Sequence, residues 1–317
     1  MNSNFNDKNL PNVLLLGNGM ITSCAKLNGI KNHSWNKYIE KLSNENSKDK
    51  PIINSKNIPY SLKATLIADK DDAKRQKQYA NVFKTLSFDN NTLIKELVQL
   101  EFQAILTTNY TYEIEDCFLE GYSALKSQSK LRYAKSVKRG YLGNKPDTKY
   151  LLHTYNKFKT GPQIWHIHGE ERRPSSIILT HDEYSRLINR LITENKYNEN
   201  KYIEYANDLH YKSWLDYILM GNLYIVGLGM DFSEFDLWWV LNRRIREKAK
   251  TGKIYFFDIG DTNKDILAAL KRMGVKIERP PEFKSKNNFS DEDYINFYKN
   301  VTETIKQNLK RRHRYEP

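Results

Sequence analysis

Two short apolar runs end in polar tips of the kind that can act on a bound ligand: Ile105-Leu106-Thr107-Thr108-Asn109-Tyr110-Thr111 and Ile164-Trp165-His166-Ile167-His168-Gly169. A side-chain amide donates and accepts hydrogen bonds at once, so Asn109 has the means to hold a water or a sugar hydroxyl. An imidazole exchanges a proton near neutral pH, and an amide and an imidazole delivered together are what a nucleotide-hydrolysing pocket needs. Each tip also has a plainer reading. Asn109 suits a turn or a helix cap, and at least one of the two histidines reads as a packed strand residue. His166 and His168 lie two apart on an extended run and share a face, but no nearby Cys or third His completes an obvious metal site.

Glycine turns stand at two other strand ends. Val13-Leu14-Leu15-Leu16 runs into Gly17-Asn18-Gly19, and Met20 to Leu27 continues as a helix. Glycines there let backbone amides approach a pyrophosphate, and the helix start adds its positive end. Position 22 is Thr, so this is a truncated dinucleotide fingerprint, equally readable as a tight turn. Leu223-Tyr224-Ile225-Val226 reaches Gly227-Leu228-Gly229, and Ile254-Tyr255-Phe256-Phe257 ends at Asp258. An acid at such a tip either accepts from ribose hydroxyls or serves a turn beside Gly260-Asp261.

The elements that position these tips alternate. Apolar spacing predicts helices over Thr92 to Phe102, after Asn109 through Ile114, Phe118 and Leu119, over Tyr202 to Met220, and over Phe235 to Arg246. Ile177-Ile178-Leu179 reads as a further strand, followed by a helix that Thr180 or Asp182 can cap, and Ser290 can cap a last helix over about 290–311. Ser43 to Asn57, rich in Asn, Ser and Lys and interrupted by Pro51, reads as a surface loop. The expected fold is α/β: a doubly wound, mostly parallel Rossmann-like sheet in one domain spanning 1–317, with basic or helical insertions at about 120–162 and 182–220. In such a sheet the tips at Gly17, Gly19, Asn109, His168, Gly227 and Gly229 converge beyond the carboxyl ends of the strands.

Composition narrows the partners. The formal net charge is +13, with Lys130, Arg132, Lys135, Lys138, Arg139 and Lys145 set against the single acid Asp147, and Lys310-Arg311-Arg312-His313-Arg314 near the end. Such runs are solvated faces, assembly surfaces or contacts to nucleic-acid phosphates. No stretch reaches the roughly 18 apolar residues of a membrane span, and the first residues lack the apolar core of a signal peptide, so a cytoplasmic protein with no membrane partner is expected. Two cysteines, Cys24 and Cys117, cannot build a four-thiolate zinc module.

Taken together, Leu16-Gly17-Asn18-Gly19, Leu106-Thr107-Thr108-Asn109-Tyr110-Thr111, His166-Ile167-His168-Gly169 and Val226-Gly227-Leu228-Gly229-Met230-Asp231 resemble the bacterial sirtuin-like proteins of phage defence. The resemblance runs from about Val13 to Glu278, with the motifs in the family's order. The defence-associated NADases carry Thr-Thr-Asn-Tyr-Asp, whereas the abortive-infection AbiH group favours Asn-Tyr-Thr followed by a Glu. Thr111 and Glu115 lean toward the second branch.

The resemblance implies NAD as substrate, no metal, and catalysis by Asn109, holding water or ribose, and His168, as general base. His166 has no such counterpart. It further implies cofactor contacts from Gly17, Asn18, Gly19, Thr107, Thr108, Gly227, Gly229 and Asp258. Asp231 and Asp236 could stabilise positive charge on ribose, although Asp236 also suits a helix start, and neither is counted among the expected catalytic residues. Without the zinc module of sirtuin deacylases, the expected reaction is hydrolysis of the nicotinamide–ribose bond in abortive infection, held off by homo-oligomerisation or a partner defence protein. The competing expectation is an inactive nucleotide-sensing or nucleic-acid-binding module. A nuclease reading finds no metal motif.

Overall fold

The computed structural model describes residues 10–30, 33–43, 46–118, 152–154, 162–194, 214–246, 251–284 and 288–314. Its sheet starts from apolar runs long enough to be buried on both faces. Strand β1 (Asn12–Leu16) sits in the middle, paired in parallel with β2 (Ala104–Thr107) on one side and β5 (Asn222–Val226) on the other. Beyond β2 lie β4 (Gln163–His166), parallel, and β3 (Leu152–Thr154), antiparallel at the edge. Beyond β5 lie β6 (Ile254–Phe257) and β7 (Lys276–Glu278), both parallel. The seven-stranded order is β3-β4-β2-β1-β5-β6-β7. The chain leaves β1 first toward β2 and later toward β5, so the strand order reverses at β1. That opens a crevice at its carboxyl end, where the first glycine turn sits.

Alternation along the strands divides the interior in two. Val13, Leu15, Leu106, Leu223, Ile225 and Phe256 enter one core, while Leu14, Leu16, Ile105, Tyr224, Val226 and Phe257 enter the other. The first core is covered by α8 (His181–Glu194), α9 (Trp214–Met220), α10 (Phe235–Arg246) and α11 (Lys264–Arg272). The second is covered by α1 (Asn18–Leu27), α6 (Thr92–Val98) and α12 (Asp291–Arg314). The expected α/β architecture with helices on both faces is the one observed.

A third cluster was not foreseen in the residues. Helices α2 (Trp35–Leu42), α3 (Lys50–Asn54), α4 (Tyr60–Ile67) and α5 (Asp72–Val82) pack Tyr38, Ile39, Leu42, Ile53, Ala64, Tyr79 and Val82 against Tyr110, Ile177 and Leu179. Tyr110 follows Asn109 directly, so this helical cap rests on the polar tip of β2.

Several local expectations need correction. Ser43 to Asn57 is not all loop. Pro51 sits in the first turn of α3, where its missing N–H costs nothing, and Lys63 donates to the Ile53 carbonyl at 2.8 Å. Ile177-Ile178-Leu179 is not a strand either. It joins no ladder; Ile178 N–H reaches the His168 carbonyl at 2.8 Å, and Ile177 and Leu179 pack on the cap cluster. The helix from Thr92 ends at Val98, and the one after Asn109 is the single turn α7 (Glu113–Asp116). Leu119, the basic run from 126 to 149, nearly all of the expected insertion at 120–162 and residues 195–213 of that at 182–220 lie outside the described residues.

Capping follows the residues closely. Thr180 and Glu183 form a reciprocal capping box at α8, Glu183 accepting from Leu179 and Thr180 N–H at 2.8 Å each. Ser290 and Asp293 do the same for α12. Among the described residues no helix is long and apolar enough to cross a membrane.

Candidate functional site

Register places the two chemical tips side by side. Thr107 on β2 is level with His166 on β4, so Asn109 and His168 leave adjacent strands at the same height. Thr107 Oγ1 donates to the Leu16 carbonyl at 2.9 Å and accepts from Asn109 N–H at 3.1 Å. Its hydroxyl therefore ties the tip to β1 rather than facing a ligand. Thr108 is buried, and its N–H also points to the Leu16 carbonyl.

Asn109 is held from behind by a charged pair. His166 Nδ1–H donates to the Asn109 carbonyl at 2.7 Å, and Nε2–H donates to Glu115 Oε1 at 2.7 Å. Both partners are acceptors, so the ring carries both protons and is an imidazolium. Burial alone would lower its pKa, but the Glu115 carboxylate, with lesser help from Glu170 and the Asn109 carbonyl, pushes it up to about 9. The Asn109 side chain is 5% exposed and its Nδ2 has no partner in the structure. A buried donor without an acceptor costs about 1–3 kcal/mol, which a ligand oxygen would recover.

His168 is oriented from the other side. Its Nε2 meets Asp236 Oδ2 at 2.9 Å, and Asp236, fully buried, is the second residue of α10. Its Nδ1 faces the Tyr184 hydroxyl at 3.4 Å and Glu234 Oε2 at 3.8 Å. Burial lowers the imidazole pKa, yet Asp236, and after it Glu234, raise it on balance above the ordinary value. One donor atom each from His168, Glu234 and Asp236 lies within 4.8 Å of the others, but the His168–Asp236 distance is that of a hydrogen bond.

Gly169 makes the turn that presents His168. Its φ is +90°, and a Cβ there would stand 2.2 Å from the Ser176 carbonyl oxygen. Gly169→Ala should therefore cost about 2–4 kcal/mol through strain and overlap. The check is the urea midpoint of the variant, and a shift equivalent to less than about 1 kcal/mol would mean that the turn relaxes.

The glycine turns of β1 and β5 interlock. Gly17 N–H donates to Val226 O at 2.9 Å and Gly19 N–H to Gly227 O at 2.8 Å. A Cβ on Gly17 would lie 2.4 Å from the Gly227 oxygen. These two glycines serve the approach of turn to turn, and their amides are already spent. Around them opens a cavity of about 420 Å³. Asn18, Gly19, Gly227 and Gly229 of the two turns, Trp35 and Tyr60 of the cap, Tyr294 and Tyr298 of α12, and Tyr184 with Glu234 line it. A Cβ on Gly229 would meet nothing within 4 Å, so that residue faces open space.

The matching family model is that of the SIR2-like domain, over residues 103–278, more than half of the chain. The chain belongs to the SIR2-like family. No curated protein matches it. SIR2-like domains use NAD; in this chain the glycine turns, the Asn109 tip and the His168 tip stand at the carboxyl edge of the sheet, the edge at which open α/β sheets bind ligands.

Not all the residues singled out by sequence gather there. Asp258 is buried and accepts from Gly260 and Thr262 N–H and from Arg279, which leaves it bracing a turn away from the cavity. Asn109 and His168 do not line the cavity themselves. Glu234 and Tyr184 were overlooked, although Glu234 lies three residues beyond the Gly-Leu-Gly-Met-Asp motif and immediately before α10. Cys24 and Cys117 are both buried and donate to carbonyls. Burial pushes the Cys24 thiol up to about 12, so it is no nucleophile.

Proposed function

We propose that this SIR2-like chain hydrolyses NAD at the nicotinamide–ribose bond, releasing nicotinamide and ADP-ribose, and that the activity depletes NAD in abortive infection. The observation that carries the reading is the buried, unpaired Asn109 amide placed level with the Asp236-braced His168 at the end of the cavity-bearing sheet. Breaking that bond leaves an oxocarbenium-like ribose, which needs nearby negative charge, an oriented water and a proton acceptor. Asn109 supplies the amide that holds a ribose hydroxyl or the water, His168 the acceptor, and Glu234 with Asp236 the negative charge.

Chemistry of the remaining residues supports the substrate. A lining of backbone turns and aromatic rings suits a dinucleotide, and the cavity volume lies in the range of ligand sites. With two cysteines, both buried, the chain has no four-thiolate module for protein deacylation. Restraint of such an enzyme falls to self-association or to a partner defence protein in the cytoplasm.

A second reading, a nucleotide sensor without turnover, draws on the fact that Asn109 and His168 do not line the cavity. One assay separates the two: nicotinamide release from NAD by the purified full chain, at high concentration and with candidate activators. Hydrolysis is expected from the wild type and is expected to fall by about 10²–10⁴ in Asn109→Ala and His168→Ala with folding intact. NAD binding without nicotinamide release would leave the sensor reading in its place.

A further inference from the structure

The order of side chains from the interior outward is Asp236, His168, then Glu234 with Tyr184. His168 is 2% exposed at its side chain and has both ring nitrogens facing protein groups. Glu234 retains 14% exposure, lines the cavity, and accepts from the Tyr184 hydroxyl at 3.3 Å. A water in the cavity therefore meets the Glu234 carboxylate before it can meet the imidazole.

The backbone fixes Glu234 in that place. Its N–H donates to the Asp231 carbonyl at 3.0 Å, its carbonyl accepts from Trp238 N–H at 3.1 Å, and Ser233 N–H is held by Asp231 Oδ1 at 2.8 Å. The side chain is thereby turned inward from the start of α10 toward Tyr184 and Nδ1 of His168. A solvated acid at a helix start would point outward; this one is folded onto a buried imidazole.

The geometry points to Glu234 as the catalytic carboxylate that meets the substrate in the cavity, with His168 acting through it, an inference that rests on the NAD-hydrolysis reading. In the step, the C1′–N bond breaks and its electron pair leaves with nicotinamide, which departs neutral. The oxygen of a cavity water forms the C1′–O bond. Its proton passes to Glu234 and is shared with Nδ1 of His168, whose charge Asp236 balances. The same proton then leaves to solvent through the cavity, so NAD and water become nicotinamide, ADP-ribose and one proton. Burial first, with Asp236 and Asp231 adding to it and His168 and Tyr184 opposing, pushes the Glu234 carboxyl up to about 7, a range suited to both taking and giving a proton.

The test compares the full-length wild type with Glu234→Gln in two measurements: nicotinamide release, and affinity for NAD⁺ against NADH, whose reduced ring carries no charge. Glu234→Gln is expected to lower kcat by about 10²–10⁴ with the thermal transition retained, and to erase a wild-type preference for NAD⁺. Turnover within about threefold of wild type overturns the assignment while leaving NAD hydrolysis in place. If the wild type binds NAD⁺ without releasing nicotinamide, the hydrolysis reading fails by itself. Loss of the NAD⁺ preference in Glu234→Gln then supports its contact with the ring, and an unchanged preference overturns it. No binding of either nucleotide overturns both. Activity lost to a chelator and restored by a divalent cation would make His168, Glu234 and Asp236 a metal site instead, and would overturn the proton role.

Discussion

Glu115→Ala is expected to destabilise the chain by about 3–5 kcal/mol, because it strands the His166 imidazolium in a fully buried site. Both partners are almost wholly excluded from solvent, and the imidazolium also holds the Asn109 carbonyl. Denaturant midpoints at pH 7 measure the loss; a shift equivalent to under about 1 kcal/mol would show that water enters and solvates the ring. Glu115→Ala combined with His166→Phe should recover part of the stability, since removing a whole buried pair costs less than removing half of it. The pH dependence has a definite sign. A histidine pKa raised in the folded state to about 9 contributes stability that is complete below about 6.5, the unfolded value, and lost as pH rises through about 9. Linkage puts that contribution at about 3 kcal/mol, so melts should move down between pH 7 and 10 in the wild type. The slope should be absent in His166→Gln.

Asp236→Asn is expected to lower kcat for nicotinamide release by about 10²–10⁴ while leaving much of the fold in place. The carboxylate accepts Nε2–H of His168 and so leaves Nδ1 turned toward Glu234 and Tyr184. An amide in its place can donate to Nε2 instead, which shifts the proton to Nδ1 and presents a donor where an acceptor is needed. The substitution also removes a charge that raises the His168 pKa, so residual activity should extend to lower pH than in the wild type. Both kcat and the pH profile are read from the same nicotinamide assay. Turnover within about threefold of wild type would mean that Asp236 only starts the helix.

The strand tips were legible because their signals are local. Val13–Leu16 and Ile254–Phe257 are continuous apolar runs that stop at Gly17 and Asp258, and Ile164–Trp165 leads straight into His166-Ile167-His168-Gly169. The helical cap was not legible. In α5 only Tyr79 and Val82 are buried, so Asp72-Ala73-Lys74-Arg75-Gln76-Lys77 reads as surface, and its place is set by tertiary contacts such as Tyr79 to Glu183. Ile177-Ile178-Leu179 has the composition of a strand but pairs with none: Ile177 and Leu179 pack on the cap, while Ile178 enters the first core of the sheet. His168 was found from its motif. Its partners Asp236, Glu234 and Tyr184 lie 16 to 68 positions away in sequence, and their meeting is a product of topology. Asp258 shows the converse: a strand-tip acid marked by position alone, whose oxygens Arg279 and two turn amides occupy.

The interlocked glycine turns give the pocket one stiff boundary. Gly17 and Gly19 are laced to Val226 and Gly227 by backbone hydrogen bonds at contact distance, with no side chain to yield between them. Trp35 and Tyr60 of the cap also line the pocket, and the Trp35 ring is itself packed edge-on to Tyr38 and Tyr110. A ligand that enlarges the pocket therefore has to displace side chains, because the two turns cannot part without breaking their backbone hydrogen bonds.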